Sequence, residues 1–263
     1  MSRRTRRPPL PLLIPAALGA LLFAVPLVAL LARTPWSRLG SLLTGPVVTE
    51  ALWLSLTTSV AAASVAVAIG VPLAWVLARV PFTGLALVRG LVMLPLVLPP
   101  VVGGTALLYA FGRRGLVGEA LYDATGIVLP FSWWGVVLAN VFVATPFLVL
   151  TVEGALRGLD RRYEAAAAVL GAGRWRVVRT VTLPMIGPSL AAGALLAWAR
   201  ALGEFGATVT FAGSLPGSTR TMPLAVYAAL EQDRDVAVAL SLVLVAVSLA
   251  VLVALRNRWW GSR

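Results

Sequence analysis

The sequence predicts an all-α membrane protein with six transmembrane helices, and three observations support this. Of the 263 residues, 59% are hydrophobic and only 12% are charged, which is more apolar material than a soluble domain of this length needs. Charge-free apolar windows recur along the chain at about the 20 residues that cross a bilayer. The basic residues are all Arg, and most of them lie in the short segments between those windows, as the connections of membrane proteins do.

Six apolar windows are the predicted spans. The first, Leu10–Ala32, follows a basic cytoplasmic tail at residues 1–9. We interpret it as an uncleaved span and not a signal peptide, because it is longer than a signal h-region and because the Thr34–Ser37 segment is a poor cleavage site. The other five windows lie between Glu50 and Arg79, between Arg89 and Arg113, between Asp123 and Glu153, from Met185 to Ala212, and from Val236 to Leu255. Within the fourth of the six windows, the span is predicted to start near Trp133. Residues 10–263 are predicted to form one transmembrane domain.

The distribution of Arg predicts the orientation of these spans. An even number of spans places both termini on the same side of the membrane. With the N-terminus inside, fifteen Arg residues fall in inner segments, six fall in outer segments and Arg200 lies within a span. Inner segments carry the excess of basic residues, so both termini and the loop at 153–184 are predicted to be cytoplasmic.

The composition also excludes several classes of function. The net charge of +12 could suggest nucleic-acid binding, but membrane topology explains the placement of the Arg residues better. The chain has no Cys, His or Lys, and its ten acidic residues are scattered. Disulfides, Cys or His catalysis and a Walker-type ATPase are therefore excluded. We expect no enzyme activity and no cofactor bound by this chain.

The segment from Leu159 to Ile186 is the longest helical interruption between the apolar windows. Residues 164–170 favour a helix, and Gly171 is expected to end it. A second short helix with three Arg residues follows over 174–181, after which Leu183-Pro184 is expected to close the loop and begin the next membrane run. Charges this dense cannot enter lipid, so the segment lies in water, on the bilayer surface or against a soluble partner.

This loop resembles the EAA loop of bacterial ABC-importer permeases. Gly171 is followed at the family's spacing by Val181-Thr182-Leu183-Pro184, and Ala166-Ala167 occupy the two Ala positions. The family's Glu position is held by Ala165, while Glu164 lies one residue earlier.

Further segments are similar to the molybdate subfamily of these permeases, which is related to the tungstate and sulfate/thiosulfate permeases. They are LPLVLPPVV at 94–102, FGRRG at 111–115, ALGEFGAT at 201–208, AGSLPG at 212–217 and TMPLAVY at 221–227. The resemblance implies a multi-pass permease of the inner membrane that carries molybdate, with tungstate and sulfate or thiosulfate as open alternatives.

The same resemblance implies the fold and the partners. The fold would be that of a type I ABC-importer permease, present as a homodimer in membrane lipid with the pathway between the copies. Two ABC ATPase subunits, which bind ATP and Mg²⁺, would each receive one loop, and an extracytoplasmic oxyanion-binding protein would deliver the substrate. No nucleic acid is expected. The candidate ATPase-coupling residues are Glu164, Ala165, Ala166, Ala167, Gly171, Leu183 and Pro184.

Two features of the loop also have plainer interpretations. The helix at 164–168 could be a solvated amphipathic helix on the bilayer, and Gly171 could serve only as a helix C-cap.

Five residues are candidates for the translocation pathway or its gate, and each has a structural alternative. Arg200 and Glu204 are spaced i, i+4 within a span, where an unpaired charge is costly; they either line the pathway or stabilise the bundle as an intrahelical ion pair. Thr208 could bind an oxyanion or pack between helices. Pro99 and Pro100 interrupt the third span and mark a constriction or a packing kink.

Two other classes of function would require sequence patterns of their own. An ion-coupled secondary transporter would need several intramembrane carboxylates or an inverted repeat. An integral membrane enzyme would need clustered catalytic groups, and neither pattern is found.

Overall fold

The protein is all-helical over the residues that its structure, a computed structural model, describes, which are 10–259 for the backbone and 11–253 for the side chains. The predicted basic tail at 1–9 lies outside this range. The helices are α1 Leu10–Ala32, α2 Leu39–Leu43, α3 Pro46–Arg79, α4 Leu85–Val97, α5 Pro100–Phe111, α6 Gly118–Thr125, α7 Trp133–Gly158, α8 Arg162–Val169, α9 Arg174–Val177, α10 Leu183–Leu202, α11 Gly206–Phe211, α12 Met222–Gln232 and α13 Arg234–Trp259.

Five of the described helical stretches are long and apolar enough to cross a membrane. They are Pro11–Ala32, Pro46–Arg79, Trp133–Gly158, Arg174–Leu202 and Arg234–Val253. Two shorter apolar helices, α4 and α5, lie where the third span was predicted. The predicted bounds of the first window and the predicted start of the fourth match α1 and α7.

The helix α7 is the centre of the fold. It packs most extensively against α3 and α10, and 72% of its apolar window is buried, compared with none of the window of α1. Small residues allow these close approaches, as expected where helices pack in lipid. A Cβ added to Gly70 on α3 would lie 3.0 Å from the Leu148 side chain of α7, so the backbones of α3 and α7 pack closely at this point.

Two apolar segments that the sequence suggested as single spans are divided in the structure. The third is divided at Leu98-Pro99, between α4 and α5, where proline was expected to interrupt it. The fifth was predicted to run from Met185 to Ala212, and this was wrong: α10 ends at Leu202 and α11 begins only at Gly206. No proline lies at this break; Gly203 is the C-cap residue of α10, and glycine is a weak helix former.

The predicted start of the next membrane run at Leu183-Pro184 matches the first residues of α10, but α10 is continuous with the short helix before it. Residues 178–182 form a π-helical turn that joins α9 to α10, giving one helical stretch from Arg174 to Leu202. Pro184 lies at the start of α10, directly after this turn. Proline is tolerated there because π-helical turns already interrupt the i→i−4 hydrogen-bond ladder that a proline would break.

Candidate coupling and translocation sites

The first candidate site is a helical hairpin, which we define as residues 159–182 and which joins α7 to α10. The Asp160 carboxylate accepts the backbone N–H of Arg162, the first residue of α8, at 2.9 Å, and so satisfies one of the free donors at the start of the helix. Gly171 has a φ of +83°, the left-handed conformation that favours glycine. The N–H of Ala172 donates to the carbonyl of Ala167, which is the 6→1 bond of a Schellman motif. The predicted helix, glycine turn and second helix are thereby confirmed.

One side chain of the hairpin points inward and ties it to the bundle. The Glu164 carboxylate lies 3.2 Å from the Arg79 guanidinium, at the last residue of α3. The same oxygen accepts a hydrogen bond from the Thr182 hydroxyl at 2.7 Å. The Arg79 side chain is 9% exposed and that of Glu164 is 22% exposed. Glu164 therefore fixes α8 against α3 and the π-helical turn.

The opposite face of the hairpin is exposed and partly apolar. Ala165 and Ala166 are exposed, and Val169 and Leu170 are 87% and 88% exposed at the end of α8. Gly171 has open space around it. The predicted coupling residues therefore divide, since Glu164 points inward while Ala165, Ala166 and Gly171 lie at the surface. Two others, Leu183 and Pro184, lie within the long helix Arg174–Leu202.

A second charged cluster lies at the base of the hairpin and was missed from the sequence. Glu153 on α7 is buried and lies 2.9 Å from Arg89 and 2.7 Å from Arg157. Arg89 also donates to the carbonyl of Leu77, near the end of α3. The i, i+4 spacing of Glu153 and Arg157 could have indicated one of these pairs. The contact with Arg89, across 64 residues, has no local signal.

The second candidate site is the break between α10 and α11. Arg200 and Glu204 form the expected ion pair, with 2.6 Å between their charged groups. The interpretation as an intrahelical pair was wrong, because Glu204 lies beyond the end of α10. Its other oxygen accepts the N–H of Ala207 at 2.8 Å, so one carboxylate pairs with α10 and caps the N-terminus of α11. The Glu204 side chain is 1% exposed.

The segment after this break packs directly against α5. A Cβ added to Gly206 would lie 2.5 Å from the Pro100 side chain, and one added to Gly104 would lie 2.8 Å from the backbone oxygen of Ala207. Pro99 is the N-cap residue of α5. Thr208 is fully buried, and its hydroxyl has no hydrogen-bond partner among the described residues. Most of the predicted pathway residues thus meet where the two interrupted segments cross.

The cavity at this crossing is small. It is lined by Arg200 and Pro100 together with residues of α4, α5 and α7, and its volume is about 10 Å³, room for about one water molecule. A tetrahedral oxyanion does not fit there. Among the described residues, no three acidic side chains are grouped so that they could hold a metal ion.

Comparison with known proteins shows the family of this chain. The family described as "Binding-protein-dependent transport system inner membrane component" matches residues 66–260. The chain is 50% identical over 225 residues to the molybdenum transport system permease protein ModB of Mycobacterium tuberculosis, covering 86% of this chain and 85% of that protein. It is 44% identical over 210 residues to ModB of Escherichia coli, covering 80% and 92%.

More distant relatives have other named substrates. The sulfate transport system permease protein CysT of Escherichia coli is 36% identical over 217 residues, covering 81% of this chain and 77% of that protein. A chain of a crystal structure of a bacterial alginate ABC transporter, in complex with a periplasmic protein bound to an alginate pentasaccharide, superposes with a TM-score of 0.74 at 20% identity. It covers 94% of this chain and 92% of that one, and it supports the fold alone. With its family region spanning residues 66–260, this chain belongs to the inner membrane components of binding-protein-dependent transport systems.

Proposed function

We propose that this chain is the permease subunit of an ABC importer that carries molybdate across the cytoplasmic membrane. The observation that carries the proposal is the identity of 50% to a molybdenum permease over 86% of the chain. The relative named for sulfate transport is 36% identical over a similar length, which favours molybdate over sulfate. Tungstate remains the alternative whose chemistry is most similar.

The proposed topology has six crossings, with both termini in the cytoplasm. Five crossings are the long apolar helices, and the sixth is the pair α4 and α5, interrupted at Leu98-Pro99. Beyond the interruption α5 packs against α11, and the backbone groups freed at Leu98-Pro99 would be covered in the proposed dimer or face the pathway. The excess of Arg in the segments assigned to the inside supports this orientation, and residues 10–263 then form one transmembrane domain.

Energy for transport would come from two ABC ATPase subunits that bind ATP and Mg²⁺. The exposed surface of the hairpin, with Val169 and Leu170 at its end, is the proposed contact with the ATPase, within a coupling loop at 153–184. Glu164 would hold α8 in place from behind, and the other predicted coupling residues would lie at or near this contact. The short stretch Arg162–Val169 would be the part inserted into the partner.

The pathway would lie between two copies of this chain, and an extracytoplasmic oxyanion-binding protein would load it. The cavity of about 10 Å³ beside Arg200 is too small for the anion, so the proposed pathway does not pass through the crossing of α5 and α11. In this arrangement the predicted pathway residues would act on the pathway by positioning α11 against α5. These residues are Arg200, Glu204, Thr208, Pro99 and Pro100.

Ion-coupled transport lacks support among the described residues. Glu153 and Glu204 are the buried carboxylates of the bundle, and both are paired with Arg. Neither is free to take up and release a coupling ion.

The experiment that tests the substrate is ATP hydrolysis by the reconstituted permease–ATPase complex. Binding protein loaded with molybdate, tungstate or sulfate is added in turn, and uptake of the same anion into proteoliposomes is measured. We expect the largest stimulation with molybdate. Stimulation by sulfate alone would contradict the proposed substrate, and stimulation by none of them would contradict the proposed class.

The topology can be tested independently, because the chain contains no Cys. Single cysteines at Arg176, on the hairpin, and Glu119, in the loop region between α5 and α7, are both at exposed positions. In intact cells, a membrane-impermeant maleimide should label Glu119→Cys and leave Arg176→Cys unlabelled. Labelling of Arg176→Cys from outside would overturn the orientation.

A further inference from the structure

A groove of about 850 Å³ lies between the end of α3 and the hairpin. One wall is the face of α3 that carries Val71, Pro72, Trp75 and Val76, and the facing wall includes Ile186 of α10. Val71 lies eight residues before the end of α3 at Arg79, so the groove runs about 12 Å along a candidate span. It is therefore an apolar slot that opens beside the hairpin and extends into the depth of the membrane.

The rim of this groove is basic. Arg79, Arg161 and Arg174 line it, with Glu164 as the acidic lining residue. Glu164 is already paired with Arg79, while Arg161 and Arg174 are exposed and form no ion pair with a described residue. The Nε of Arg79 is buried and has no hydrogen-bond partner among the described residues. The rim thus carries positive charge and hydrogen-bond donors that the rest of the described chain does not satisfy.

We propose that this groove binds an anionic phospholipid. The phosphate of the headgroup would be held by Arg161 and Arg174, and an acyl chain would lie along Val71, Trp75 and Val76. Basic pockets between spans at a membrane surface select anionic headgroups, and arginine is suited to phosphate because it donates several hydrogen bonds from one planar group. A soluble partner could cover the rim but would not reach 12 Å along the span. The combined charge and depth therefore favour a lipid as the occupant.

Bound lipid would link membrane composition to the position of the hairpin. Arg79 and Glu164 belong both to the lining of the groove and to the contact that fixes α8. A phosphate at the rim would lie next to that contact, and acyl chains would fill the space beneath the hairpin.

The test uses the purified permease–ATPase complex and native mass spectrometry. Phosphatidylglycerol or phosphatidylcholine with identical acyl chains is added, and the lipid that remains bound is counted. We expect retention of phosphatidylglycerol over phosphatidylcholine. The double variant Arg161→Gln/Arg174→Gln should lose this preference, by roughly fivefold for each Arg removed. The matched control is Arg176→Gln/Arg179→Gln, on the same hairpin but outside the groove, and it should keep the preference.

A second pair of variants tests the apolar wall. Val76→Trp would fill the groove and should lower the binding of both lipids, whereas Ile69→Trp, on the same helix but outside the groove, should not. Equal binding of the two lipids to the unmodified complex would overturn the proposal. So would an equal loss of preference in the control double variant, or equal binding by the two Trp variants.

Discussion

An Arg–Glu pair holds each of two regions, the hairpin and the α10–α11 break, but the two regions are packed in opposite ways. At the break the Glu204 side chain is 1% exposed and Gly206 abuts Pro100. At the hairpin the Glu164 side chain is 22% exposed and Gly171 has open space around it. The break needs glycine for space, whereas the hairpin needs it for a positive φ. The comparison indicates that the break is packed on all sides, while the hairpin is fixed on one face and exposed on the other.

The largest effect is expected from Glu204→Ala, which removes both functions of the buried carboxylate. Arg200 would lose its partner and the N-terminus of α11 would lose its cap, lowering the free energy of unfolding by about 3 kcal/mol. Thermal melting of the purified complex measures the change. Glu204→Gln is the control, because its amide oxygen can still accept the N–H of Ala207, and it should be less destabilising. Equal melting temperatures of the two variants would show that the hydrogen bond to Ala207 contributes nothing to stability.

A smaller effect is expected from Gly206→Ala. The added Cβ would lie 2.5 Å from the rigid ring of Pro100, so α11 would have to move away from α5. This should lower the free energy of unfolding by about 1–3 kcal/mol. Gly154→Ala on α7 is the control, since nothing lies within 4 Å of its added Cβ. The same melting assay compares the two. If the two variants melt alike, the tight crossing of α5 and α11 is not important for stability.

Glu164→Ala should lower the free energy of unfolding by only about 1 kcal/mol, because the Glu164 side chain is 22% exposed. Its effect on transport should be larger than its effect on melting, since α8 would no longer be fixed against α3. The measurement is anion uptake per ATP hydrolysed, with Glu231→Ala at an exposed position of α12 as the control. Combining Glu164→Ala with Thr182→Val should add little, because Glu164→Ala already removes the hydrogen bond from Thr182. Full additivity of the two would argue against a shared contact.

The smallest effect on stability is expected from Leu170→Asp, within about 0.5 kcal/mol, because the side chain is 88% exposed. The same substitution should abolish co-purification of the ATPase, since a charge would enter the proposed apolar contact. Leu116→Asp, at a residue 90% exposed before α6, should leave co-purification intact. Retention of the ATPase by Leu170→Asp would place the contact elsewhere on the chain.

The membrane class, most of the long helices and the form of the hairpin could be predicted from the sequence, because each depends on local pattern. Apolar windows define spans, and Gly171 marks a turn through its own conformational freedom. The pairing of Arg200 with Glu204 followed from spacing alone. The i, i+4 spacing nonetheless suggested a continuous helix, since nothing in the Ala-Leu-Gly-Glu segment shows that α11 would leave the axis of α10 to pack on α5.

The contacts that hold the hairpin could not be predicted in the same way. Arg79 and Glu164 are separated by 85 residues, and Arg89 and Glu153 by 64. Such pairs depend on which helices become neighbours. The π-helical turn at 178–182 was also missed, because a Leu-Pro pair after a loop suggests a new helix start more often than a continuing one.

The unbroken stretch from Arg174 to Leu202 connects the two regions compared above. Its 29 residues make a rod about 43 Å long, with one end at the hairpin and the other two residues from Glu204. A tilt of about 5° at the hairpin end displaces the far end by roughly 4 Å. A small rotation applied by a bound partner therefore arrives at the opposite end as a shift about the size of an atom's diameter.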